Sequence, residues 1–117
     1  MITKERREEI KELVVKLSTD SLEFSASLSE KNDYRELRKM FVTSACTIGS
    51  NFWRMGSDPD FAEIGETARV CRGKAIRLGF LIRIIEEMKL SDPSELNHLK
   101  VQLEVLSDEF QKYVNLE

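Results

Sequence analysis

Apolar residues recur along the chain at three-, four- and seven-residue steps, and no stretch alternates apolar and polar as a half-buried strand would. In the first segment Ile10, Leu13, Val14, Leu17, Phe24 and Leu28 form such a stripe, which predicts a helix over about 3–30. Its middle, Ser18-Thr19-Asp20-Ser21, is the weak point, because these side chains compete for backbone hydrogen bonds. A second stripe runs through Tyr34, Leu37, Phe41, Ala45, Ile48, Phe52 and Met55. It opens on Asp33 and Glu36 in capping-box spacing and meets Gly56 where a helix-ending glycine belongs.

Ser-Asp-Pro occurs twice, at 57–59 and 91–93. Each time the aspartate suits an N-cap and the proline the first helical position, where its missing N–H costs nothing. Glu95 completes Asp92-x-x-Glu95 at the second. These starts predict helices over about 59–89 and 93–113; the last carries Leu96, Leu99, Leu103, Leu106, Phe110 and Val114 in near-heptad order. Short connections make neighbouring helices antiparallel. The expected fold is all-α, an antiparallel up-down-up-down four-helix bundle, with 1–117 as a single domain. Its core should join Phe41, Ile48, Ala68, Ala75, Leu78, Ile82, Leu99, Leu103 and Leu106.

The third helix departs from an ordinary amphipathic pattern. Ile64, Ala68, Cys71, Ala75, Leu78, Ile82 and Ile85 form its core stripe at 100° per residue. Between 67 and 85 it has no carboxylate, yet it carries Arg69, Arg72, Lys74, Arg77 and Arg83. Arg69, Arg72 and Arg83 fall opposite the core stripe, with Arg77 on the flank. Among them lies a second apolar line, Ile76, Phe80 and Ile84. A helix with two apolar faces is normally buried twice, so this line, with Trp53, is the candidate oligomer interface. The four arginines are candidates for contact with nucleic acid or with another subunit. On the second helix, Gly49, Ser50 and Asn51 follow Ser44 and Ala45 and read as a close helix–helix contact, with Asn51 free to bond a neighbouring backbone.

Charge and composition narrow the functional classes. The 117 residues sum to a formal charge of −3, and the pI is near 5.3. An acidic chain has no global attraction to RNA or anionic lipid, which disfavours RNA as a partner. No segment has the ~18 apolar residues of a membrane span, and the charged start lacks a signal peptide's apolar stretch. Cys46 and Cys71 lie in helical patterns without paired spacing, as buried thiols of a reducing compartment do. The expected location is the cytoplasm. Glu95 and His98 match Glu-x-x-His once, whereas a di-metal bundle needs a second copy and further inward glutamates. No P-loop, dinucleotide fingerprint or assignable nucleophile accompanies them. No metal, no cofactor and no enzymatic activity are expected.

Thr47-Ile48-Gly49-Ser50-Asn51-Phe52 resembles the Ser/Thr-Ile-Pro/Gly-Ala/Ser-Asn-Ile motif of the bacterial four-helix-bundle proteins related to those encoded in 23S rRNA intervening sequences. Without a gap, that family's aromatic start of its third helix falls on Ile64. Its Ala-Arg-Gly-Ser segment falls on Cys71-Arg72-Gly73-Lys74, and its aromatic and leucine-rich continuation on 80–85. The likeness covers roughly 34–113. Arg54 and Arg77 stand where the family usually has glutamate. The resemblance implies a cytoplasmic non-enzyme that forms a ring-like homo-oligomer, often a pentamer. A related bundle, the accessory protein of diversity-generating retroelements, binds RNA and a reverse transcriptase through basic surfaces, and "AIRLGFLIRII" is similar to that branch. Two functions are therefore expected. The first is a self-assembling interaction module, a ring-forming scaffold or adaptor that also docks another protein. The alternative is an RNA-binding accessory protein using the arginines of the third helix.

Overall fold

The computed structural model describes residues 2–28 and 34–114. Four helices follow in order: α1 (Lys4–Ser27), α2 (Arg35–Trp53), α3 (Phe61–Glu87) and α4 (Pro93–Val114). α1 packs beside α2 and α4, and α3 also packs beside α2 and α4, so α1 and α3 stand diagonally across the bundle. The rod measures 46 × 21 × 19 Å. No helix among the described residues is long and apolar enough to cross a membrane.

Local chemistry accounts for the helix ends. Thr3 caps α1 by accepting from the Arg6 N–H at 3.0 Å. The Ser-Thr-Asp-Ser segment does not break it: Ser18 donates back to the Val14 carbonyl and Thr19 to that of Lys16. α1 stops at Ser27, with Leu28 extended. Glu30, the expected end, and Asp33, the expected cap of α2, lie outside the described residues.

Gly56 is not the left-handed stop of α2, since no described glycine has positive φ. The helix ends at Trp53, and the Gly56 N–H instead donates to Glu63 Oε2 at 2.9 Å. The first Ser-Asp-Pro also differs from expectation. Asp60, not Asp58, caps α3, accepting from the Glu63 N–H at 2.8 Å. Residues 57–59 are used by the turn, where Arg7 of α1 donates to the carbonyls of Gly56 and Ser57, both at 2.9 Å. The second Ser-Asp-Pro starts α4 as expected, with Asp92 accepting from the Ser94 N–H at 2.9 Å.

The core runs the length of the rod. All nine residues expected there are buried, together with Ile10, Val14, Leu17, Leu81, Ile85 and Phe110. Phe24 meets Phe41 with ring centroids 5.4 Å apart, and Phe52 meets Phe110 at 6.1 Å. Cys71 is buried against α2, where its thiol donates to the Ile48 carbonyl at 3.5 Å. Burial pushes that thiol up to about 12, which makes it unreactive at neutral pH. Gly49 is buried where α2 meets α1: an added Cβ would lie 3.5 Å from both Ser18 Oγ and Val14 Cβ. Its neighbours serve their own helix. Asn51 donates to the Thr47 carbonyl at 2.7 Å rather than to another helix's backbone, and exposed Ser50 also bonds that carbonyl.

Candidate functional site

The outward face of α3 carries the feature that most needs an explanation. Ile76 is 59% exposed and Phe80 64%, one turn apart in the middle of a long helix. Helical geometry sets which residues share this face. Each four-residue step advances about 40° around the axis, so a line that is outermost at Phe80 has turned to the flank at Ile84. Ile84 is accordingly half-buried against the core. Two residues of the expected apolar line, not three, stand clear of the chain's own fold.

Arginines frame this pair, and all four are exposed. The absence of acids between 67 and 85 had suggested that they lack neutralising partners. The structure corrects this for two of them, because acids just beyond that interval reach back at helical spacing. Arg69 pairs with Glu66 at 2.7 Å and also donates to the Val114 carbonyl at 3.4 Å. Arg83 pairs with Glu87 at 2.7 Å. Arg72 and Arg77 make no hydrogen bond or ion pair among the described residues. The surplus positive charge of this face therefore lies on either side of Ile76.

Gly73 is the residue of this face that the spacing arguments missed. It sits in the interior of α3, one turn before Ile76 and Arg77, and a Cβ added there would meet nothing within 4 Å. No neighbour in its own fold requires the absence of a side chain. A glycine in a helix interior costs about 0.5–1 kcal/mol relative to alanine. The signal was available in the sequence as the glycine of Cys71-Arg72-Gly73-Lys74, on the side away from the core stripe.

Other predicted residues lie elsewhere. Trp53, half-exposed at the end of α2, has the Lys11 ammonium 4.6 Å above its ring. It lines a groove of about 300 Å³ between α1 and α2 with Val14, Val15, Cys46, Gly49 and Ser50. That groove involves α1, which α3 does not touch, so Trp53 is not brought together with Ile76 and Phe80. His98 Nε2 lies 3.1 Å from Asp20 Oδ2, and Glu95 accepts from Ser27 at 3.4 Å, so both tie α4 to α1. Gln102 donates to the same Asp20 oxygen at 2.7 Å, and this bond, with Lys16 and His98, holds the carboxyl below its usual range. No group of three or more His, Cys, Asp or Glu among the described residues is arranged to hold a metal.

A second outward apolar pair, unremarked in the periodicity, lies on α4. Val101 is 53% exposed and Val105 45%. Beside them Glu104 and Asp108 are exposed and make no ion pair among the described residues. The comparisons add no name to these surfaces: no family model, no curated protein and no solved structure matches the chain.

Proposed function

We propose that the protein is a non-enzymatic, self-assembling interaction module, and that the outer face of α3 is the surface through which it assembles. The observation that carries this reading is the exposure of Ile76 and Phe80 at the centre of a regular helix, next to a glycine its own fold does not need. Soluble monomers rarely leave contiguous large apolar side chains uncovered without a partner. The resemblance to the intervening-sequence bundle proteins supports a cytoplasmic homo-oligomer that closes as a ring, with five copies as its stoichiometry. Such a ring acts as a scaffold or adaptor by presenting repeated copies of its remaining surfaces.

Light scattering on the purified chain tests the reading. Wild type should run well above 13.5 kDa. Phe80→Asp should return it to that mass, because an interface does not readily desolvate an unpaired carboxylate. A wild-type monomer at tens of micromolar rejects the proposal. The second reading, an RNA-binding accessory protein, is favoured by Arg72 and Arg77 alone, which are exposed and make no ion pair among the described residues; the net charge of −3 opposes it. It replaces the first if the chain retains RNA with an affinity that falls by a log–log salt slope of about −0.7 per phosphate contacted.

A further inference from the structure

The α3 face is a poor partner for itself. A twofold contact of α3 on α3 would bring Arg72 and Arg77, which make no ion pair among the described residues, close to the same two of the other copy, while removing water from between them. If the self-assembly reading holds, on which this inference rests, the complementary surface must pair apolar side chains with acids. The α1/α2 groove has the wrong sign where it matters, since Lys11 lies over Trp53. The outward face of α4 has the right one.

Three features match. Ile76 and Phe80 form an exposed apolar pair four residues apart, and so do Val101 and Val105. Arg72 and Arg77 are exposed without an ion pair among the described residues, and so are Glu104 and Asp108. The open position at Gly73 leaves a notch beside the α3 ridge, and a valine is the size of knob that such a notch accepts. We infer that the α3 face of one copy docks on the α4 face of a second copy: Ile76 and Phe80 lie against Val101 and Val105, and Arg72 and Arg77 meet Glu104 and Asp108. The contact is head-to-tail, joining two different faces. Because α3 and α4 are neighbours in the bundle, these faces look outward about a quarter-turn apart, so successive copies turn toward closure instead of extending in line.

Charge reversal followed by light scattering tests the pairing. Glu104→Arg with Asp108→Arg should give a 13.5 kDa monomer, and so should Arg72→Glu with Arg77→Glu. All four changes in one chain should restore the multimer. Circular dichroism verifies that each variant is folded, and the milder Glu104→Gln with Asp108→Asn replaces the reversal if it is not. A mixing arm tests the head-to-tail geometry. Phe80→Asp keeps a working α4 face, and the α4 variant keeps a working ridge, so the two together should form a 1:1 dimer and stop there. A multimeric α4 variant, or a mixture that forms no dimer, overturns the α3–α4 pairing and leaves self-assembly standing through another surface. A monomeric wild type overturns both.

Discussion

Glu109 carries an unusual load for one side chain. It is buried, yet it is charged, because Arg6 of α1 grips it with two hydrogen bonds of 2.9 and 2.6 Å. Lys112 and the Tyr113 hydroxyl, at 3.2 and 3.1 Å, complete its partners. The Arg6 guanidinium, assisted by Lys112 and Tyr113, holds this carboxyl down to about 2, against an ordinary value of 4.5. A carboxyl depressed in the folded state stabilises the fold above its unfolded pKa, and that contribution disappears as pH falls through the folded one. Wild type should therefore lose stability between about pH 4.5 and 2 in part through this group. Glu109→Gln should cost about 1–3 kcal/mol at neutral pH, by leaving Arg6 only the exposed Glu9 as its anion, and should remove part of the acid-dependent loss. Thermal melts of both proteins above and below that window check both effects; parallel pH profiles would show that Glu109 plays no such part. Nothing in the sequence pointed to this pair. Arg6 and Glu109 are 103 positions apart, and each taken alone is an ordinary charge on a helix.

At the scale of elements, the end of α3 shows how a helix stop works without its usual residue. Lys89 has φ 54, the left-handed conformation, and is the described non-glycine residue with positive φ. Around it the Lys89 N–H donates to the Glu86 carbonyl at 3.1 Å and the Leu90 N–H to that of Ile85 at 3.2 Å, while Leu90 packs on the core. This is the pattern of a Schellman motif, which normally places glycine where Lys89 stands. Lys89→Gly should raise stability by about 1 kcal/mol, since glycine adopts that conformation without the crowding of a Cβ. Chemical denaturation measures it, and an unchanged or lower midpoint would refute the account. The four helices and their apolar stripes were legible because each depends on neighbours a few residues away. Their ends were less so. Asp58 and Asp60 are both good caps, and the choice of Asp60 goes with contacts from Glu63 and Arg7 that fix the preceding turn. The apolar and basic character of the outward face of α3 is legible in the sequence, yet its pairing is not, since Glu66 and Glu87 lie beyond the acid-free interval 67–85 and reach back into it. The α4 pair, Val101 and Val105, was passed over because it interrupts no stripe and stands out only once exposure is known.

At the scale of the molecule, each helix packs against two neighbours around one core, and the outward faces of α3 and α4 remain uncovered. A monomer leaves Ile76 and Phe80 in water, so on the proposed self-assembly part of the apolar burial available to this chain is gained only when copies meet. Folding is then coupled to abundance by mass action. The melting temperature of wild type should rise with protein concentration across the association range, whereas Phe80→Asp should melt at one temperature throughout; calorimetry of a dilution series reads the difference, and a wild-type curve that ignores dilution would contradict the coupling. For a cell, assembly as proposed would make the exposed ridge a dosage sensor. At low copy number the chain would then be a lone bundle with an uncovered apolar strip, open to proteases and chaperones, and once enough had been made it would protect itself.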